Sequence, residues 1–212
     1  MPKPQAMIVP VTPFEQNCTI LWDADGDEAA VVDPGGDVAE IERAIAEAGV
    51  SVRQILLTHG HIDHAGGAAE LAEKLAVPIV GPHEADAFLL SHLAEQAQMF
   101  GLSGVRNCTP SRWLAEGEEV RVGGLAFEVR HCPGHTPGHV VFYDAPHKLA
   151  IVGDVIFQGS IGRTDFPYGD HDALLKSIRE KILVLDDDVG FLCGHGNPST
   201  VGRERVGNPF LA

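Results

Sequence analysis

The sequence predicts an α+β fold in which two mixed sheets pack face to face with helices outside. Two observations carry that prediction. Segments run in the order strands, helices, strands, helix, strand, which is not the strict strand–helix alternation of a doubly wound parallel sheet. The early strands at 7–11, 17–22 and 29–33 are joined by short turns, which suits hairpins and a partly antiparallel sheet. A third observation locates the function. Four strand ends, at 58–64, 132–139, 153–154 and 194–196, set His or Asp beside Gly, and strand ends are where α/β sheets usually hold ligands.

Taken in order, 7–11 and 17–22 are strands and 23–27 is a turn whose Asp and Gly residues supply the backbone angles. The strand at 29–33 stops at Pro34-Gly35-Gly36. Asp37 can cap a helix in which Val38, Ile41, Ile45 and Ala48 recur at helical spacing and which Gly49 ends. The apolar run 52–57 reads as a buried strand, followed by a helix over 66–76 with Leu71 and Leu75. Residues 77–80 are short and extended. A helix over 84–99 places Phe88, Leu89, Leu93 and Met99 in the core. After Gly101 come strands at 118–122, 125–131, 139–143 and 148–152. Residues 155–170, rich in Gly, Asp and aromatics without a period, form a functional loop. Asp172 starts a helix through Leu174, Leu175, Ile178, Ile182 and Leu185, and 189–193 is the last strand. The two halves share a plan of strands, ligand loop and helix, with no sequence repeat.

A chain of 212 residues can bury its own core, and 1–212 reads as a single domain. The formal net charge of -15 leaves no basic stripe to neutralise phosphates, which disfavours a nucleic-acid partner. A local Arg can still meet an anionic small substrate. Cys18, Cys108, Cys132 and Cys193 are far apart with no CxxC, as in reduced cytoplasmic proteins. Residues 1–6 lack the basic and apolar regions of a signal peptide, and no apolar run approaches membrane-spanning length. The expectation is a cytoplasmic protein with no membrane partner. Oligomeric state is not legible.

The stretch His59-Gly60-His61-Ile62-Asp63-His64 puts three imidazoles and a carboxylate into six residues. These ligand types suit zinc, iron and nickel. An ordinary surface histidine accounts for one such residue, not for four along one loop. His135, Asp154 and His195 stand at three further strand ends. Each alone is a common turn, but their recurrence argues for a metal site.

H-x-H-x-D-H at 59–64, G-H at 134–135, G-D at 153–154 and a late G-H at 194–195 resemble, in that order, the metallo-β-lactamase superfamily across nearly the whole chain. Pro133-Gly134-His135-Thr136-Pro137-Gly138-His139 and Gly153-Asp154-Val155-Ile156-Phe157 are similar to its glyoxalase II group of thioester hydrolases. Gly159-Ser160-Ile161-Gly162-Arg163-Thr164-Asp165 and the ending Thr200-Val201-Gly202-Arg203-Glu204-Arg205, then Asn208-Pro209-Phe210, resemble the short bacterial members. The resemblance implies a four-layer αβ/βα sandwich. It implies that His59, His61 and His135 hold one metal, that Asp63, His64 and His195 hold a second, and that Asp154 bridges them. The cofactors implied are two divalent ions, with zinc first and iron or manganese as alternatives. A hydroxide shared by the cations would attack the thioester carbonyl, oriented by Asp63 and Asp154 as catalytic groups, with no Ser or Cys nucleophile.

The substrate implied is an S-(2-hydroxyacyl)glutathione such as lactoylglutathione. Arg163 matches a basic residue of the glyoxalase II pattern and would bind a glutathione carboxylate. The chain departs from full-length glyoxalase II in two ways: it ends too soon for the C-terminal helical domain, and Asp165 replaces the aromatic two positions after the basic residue. His139 matches a histidine that is not normally a ligand. Asp33 reads equally as an anchor for ligand histidines or as a turn residue. Cys132 and Cys193 read as small hydrophobes. Two readings compete. One is a persulfide dioxygenase with a single iron on His59, His135 and Asp154. The other is a non-catalytic binding protein on the same fold, whose signature would be a lost ligand, and none is lost.

Overall fold

The structure is a computed structural model and describes residues 2–211. Its first half contains β1 (Pro4–Val11), β2 (Gln16–Asp23), β3 (Glu28–Val32), α1 (Val38–Ala48), β4 (Ser51–Leu56), α2 (Ile62–Ala65), α3 (Ala68–Leu75), β5 (Ile79–Val80), α4 (Ala87–Leu90) and α5 (Leu93–Phe100). Next come β6 (Glu119–Val122), β7 (Leu125–His131), β8 (Val140–Asp144), β9 (Leu149–Gly153), β10 (Ile156–Phe157) and β11 (Ser160–Ile161). The chain ends with α6 (His171–Ser177), β12 (Gly190–Cys193), β13 (Ser199–Thr200) and α7 (Val201–Gly207).

The first sheet has the order β1-β2-β3-β4-β5, with antiparallel hairpins giving way to parallel β3, β4 and β5. The second has the order β13-β12-β9-β8-β7-β6, in which only β12 and β9 are parallel. Each sheet therefore contains a parallel pair. Asp33 and the 58–64 loop follow β3 and β4, while Asp154 and His195 follow β9 and β12.

Alternation along the strands builds the sandwich. Leu21, Val32 and Leu56 from the first sheet meet Val120, Phe127, Phe142 and Ile151 from the second in one buried cluster. On the far side of the first sheet, Ile20, Val31 and Ile55 pack with Ile41, Leu71 and Leu93 of the helices. On the far side of the second, Val141, Val152 and Phe191 pack with Leu174, Ile178 and Val201. The layers are helix, sheet, sheet, helix, as expected. Burying one such side chain contributes about 1.5–3 kcal/mol, so the central cluster fixes the spacing of the sheets and of the loops at their rim.

Several helices differ from the sequence reading. The helix over 66–76 forms as α3, and before it stands an additional turn, α2; Gly67 N–H donates to Pro34 O at 2.8 Å and pins the chain between the two. The helix over 84–99 breaks into a 3₁₀ turn at Glu84–Asp86, then α4 and α5. Asn107 Oδ1 accepts from Ala94 N–H and starts α5 afresh. Phe88 and Met99 are not core: they are 41% and 76% exposed. Asp37 does not cap α1 through its side chain; its carboxylate accepts from Thr12 N–H at 2.6 Å instead. The cap of α6 is Asp170, not Asp172, and this helix widens into a π turn at Ile178–Ile182. Within 155–170 lies the hairpin β10–β11, and β13 and α7 follow His195, where no element was expected. Among the described residues, no helix is long and apolar enough to cross a membrane, and the four cysteines are buried free thiols.

Candidate metal centre

The site forms where the carboxyl ends of both parallel pairs meet. Val140 N–H donates to Thr58 O at 2.8 Å, and Asn17 N–H donates to Gly194 O at 2.8 Å, which ties the sheets together there. Asp33 is an anchor and not merely a turn residue. Its Oδ1 accepts from Thr58 N–H at 2.7 Å, and its Oδ2 accepts from the Thr58 hydroxyl at 2.5 Å and from His64 Nδ1 at 2.8 Å. Donation from Nδ1 leaves the His64 Nε2 lone pair facing inward. The Thr58 hydroxyl, having donated to Asp33, accepts from His59 Nδ1 at 3.0 Å.

His59, His61 and His135 come together as the sequence predicts. His61 Nδ1 lies 3.1 Å from His59 Nε2 and 2.9 Å from His135 Nε2. The other ring nitrogens are occupied: His135 Nδ1 donates to Arg163 O at 2.8 Å, and His61 Nε2 meets the Tyr168 hydroxyl at 2.9 Å. Burial pushes the His61 imidazole down to about 3 and lowers His59 and His135 as well. With His61 Nε2–H donating to the Tyr168 hydroxyl, three neutral rings aim lone pairs at one point, an arrangement that repels itself unless a cation sits there.

Asp63, His64 and His195 form the second set. Asp63 Oδ2 lies 3.2 Å from His195 Nε2 and 3.9 Å from His64 Nε2. Asp154 stands between the sets: Oδ1 is 3.3 Å from His64 Nε2, while Oδ2 is 3.6 Å from His135 Nε2 and 3.7 Å from His195 Nε2. Burial opposes the Asp154 charge, yet His64, His135 and His195 hold its carboxyl well below the usual carboxylate range. Burial likewise opposes protonation of His64, but Asp154, Asp63 and Asp33 outweigh it and raise the imidazole. A proton and a metal cation would compete for that nitrogen.

These residues fit a pair of cations. His64 Nε2 and Asp154 Oδ1 are buried with no hydrogen-bond partner, although buried polar atoms are normally satisfied. His139 is not among the convergent groups. It stacks on His59 at 4.6 Å, and its Nε2 accepts from Asp154 N–H at 3.0 Å, fixing the backbone of Asp154. Cys193 Sγ points at His195 O, and Cys132 is buried in the second outer cluster, so neither enters the site.

A cavity of about 410 Å³ opens over Asp63 and Asp154. Phe14, Phe100, Phe157, Phe166 and Tyr168 make its wall, three of them from the loop at 155–170. Arg163 lies on this wall, but its guanidinium is bonded twice to Asp165, at 2.6 Å each, above the Phe166 ring. Sequence reasoning missed Asn17, whose Nδ2 donates to Cys193 O and Gly196 O and so fastens the His195 loop. It also missed Asp86, buried beside Gly60 and Thr136. No motif marks either residue; only the folded contact does.

A two-sheet sandwich with a His/Asp cluster at its rim is the arrangement of a metal-binding fold. The metallo-β-lactamase superfamily matches residues 11–195, and the chain belongs to it as a glyoxalase II-like enzyme. The hydroxyacylglutathione hydrolase GloC of Haemophilus influenzae is 48% identical over 205 residues, covering 96% of each chain. The crystal structure of TTHA1623 in a di-iron-bound form superposes with a TM-score of 0.87 at 35% identity, covering 97% of this chain and 100% of that one. BLEG-1, a B3 metallo-β-lactamase, superposes with a TM-score of 0.89 at 34% identity, covering 98% and 99%.

Proposed function

We propose that the protein hydrolyses glutathione thioesters, S-(2-hydroxyacyl)glutathiones such as lactoylglutathione in particular, with two divalent ions. The observation that carries this reading is Asp154 set between two complete ligand sets, which favours a dinuclear site over a single iron. His59, His61 and His135 would hold one ion, Asp63, His64 and His195 the other, and Asp154 both. Zinc suits these imidazole and carboxylate donors, and the di-iron form of a similar protein makes iron the second candidate. Two cations held there supply a water of lowered pKa and Lewis-acid stabilisation of charge on the carbonyl oxygen.

The chain's own groups do the rest. Asp63 borders the cavity, and its carboxylate would accept a hydrogen bond from the attacking water, orienting it toward the thioester carbon. Asp154 is fixed at its backbone N–H by His139, which holds the residue's main chain between the two sets. The aromatic wall strips water from the acyl group and limits its approach. Arg163 binds a glutathione carboxylate by exchanging Asp165 for it. The pair is exposed and screened by solvent, so the exchange costs little.

The test pairs metal analysis with lactoylglutathione hydrolysis and oxygen uptake on glutathione persulfide, using one preparation. A chromogenic β-lactam serves as a control. The expected result is two metal equivalents per chain, hydrolysis lost on chelation and restored by metal, and no oxygen uptake. His59→Ala and Asp154→Ala should each lower kcat/KM about a hundredfold or more in a folded protein. Full activity in either variant would sink the site assignment, and oxygen uptake without hydrolysis would sink the reaction.

A further inference from the structure

Asp86 is 0% exposed in the 3₁₀ turn between β5 and α4, and among the described residues no Lys or Arg contact answers its charge. A buried carboxylate without a cation is costly unless hydrogen bonds compensate it. Three do. Oδ2 accepts from Gly60 N–H and the Thr136 hydroxyl, each at 2.8 Å, and Oδ1 accepts from Gly138 N–H at 2.5 Å. Gly60 separates His59 from His61, Thr136 follows His135, and Gly138 precedes His139, the ring stacked on His59.

The packing is as close as the bonding. A Cβ at Gly138 would lie 2.6 Å from Asp86 N and 2.7 Å from Oδ1, and one at Gly60 would lie 2.8 Å from Leu89 Cβ. Both loops are pulled onto the turn so tightly that only glycine fits at these two places. Asp33 works differently: it grips His64 directly and reaches His59 through Thr58, so it serves both sets. Asp86 bonds to none of Asp63, His64 or His195.

We infer that Asp86 is a positioning residue dedicated to the three-histidine set: it clamps the 59–61 loop to the 135–138 loop and thereby sets the affinity of that ion alone. The inference rests on the ligand sets proposed above. Asp86 touches no ligand atom and takes no part in bond making. It fixes the separation of two loops that approach from different sheets and share no other carboxylate.

The experiment titrates metal-stripped full-length protein with cobalt(II) against a competing chelator, following visible absorption. His135→Ala and His195→Ala variants assign which affinity belongs to which set. Asp86→Asn should weaken the ion that His135→Ala removes by about tenfold or more, alter its cobalt spectrum, and leave the other ion within about twofold. Thr136→Val, which removes one of the three bonds, should weaken the same ion about fivefold. A folded Asp86→Asn protein with both affinities unchanged, or with both weakened equally, would overturn the assignment. If Asp86→Asn does not fold, unchanged affinities in Thr136→Val would overturn it. Wild-type protein that takes up no metal would overturn the ligand reading itself.

Discussion

Gly194 precedes His195 without adopting a positive φ, so a sharp turn is not what glycine provides there. Space is. A Cβ at this position would fall on Asp154 Oδ1 and lie 2.5 Å from His64 Cε1. Gly194→Ala should therefore displace the bridging carboxylate, lowering kcat about tenfold or more and reducing bound metal toward one equivalent, as metal analysis would show. Unchanged metal content would mean that β12 shifts to absorb the methyl group. The cysteines offer a second test at this scale. Burial pushes Cys132 up to about 12 and Cys108 and Cys193 up to about 11. Thiolate, not thiol, reacts with disulfide reagents, so native protein should label slowly and denaturant should release all four thiols. Rapid labelling of native protein would contradict this packing. The convergent His and Asp residues were legible because metal chemistry restricts residue type and the fold family restricts order. Asp86 and Asn17 were not, because their partners lie 26–52 and 176–179 positions away.

Among the elements, the strands were legible because alternation and turn residues are local signals. The helix at 66–76 was legible too, as α3, but the break within 84–99 was not, because Asn107 restarts α5 from another part of the chain. Tertiary contacts decide such breaks, and periodicity alone does not register them. The hairpin β10–β11 shows the same dependence. Buried Glu204 on α7 accepts from Gly159 N–H at 2.7 Å, from the Ser199 hydroxyl at 2.5 Å and from Asn208 Nδ2 at 3.0 Å. Asn208 Nδ2 also donates to Ser160 O at 2.9 Å. The last helix thus holds the hairpin that presents Phe157 and Ile161 to the cavity. Glu204→Ala would leave three donors in need of partners, a loss of about 2–4 kcal/mol in denaturant unfolding. Because the hairpin carries wall and not ligand, KM for the thioester should rise while bound metal stays at the wild-type level. Loss of metal in a folded variant would show that α7 supports the ligands too.

For the molecule as a whole, the meeting of two sheets places an unusual number of imidazoles out of water, and this couples stability to pH. Burial lowers His59 and His139 well below the ordinary histidine value and His61 to about 3. In the unfolded chain these rings take up protons near pH 6.5. Below that value the unfolded state binds more protons than the native state, so the equilibrium shifts toward unfolding. Their contribution to stability is complete above about pH 6.5 and is lost as pH falls toward 3. Each fully engaged ring adds a slope approaching 1.4 kcal/mol per pH unit. His64 and His195 are raised and act in the opposite sense: their carboxylate partners favour the protonated native ring in acid. Metal cancels that opposing contribution, because a ligated imidazole must be unprotonated. Urea unfolding should therefore show stability falling from about pH 6.5 to pH 5 in both forms, and more steeply in the metal-loaded protein; between pH 8 and about pH 6.5 the stripped protein should instead gain stability as pH falls, through His64 and His195. Equal slopes would mean that the raised histidines are not ligands. A flat profile in both forms would mean that the buried rings admit protons without unfolding.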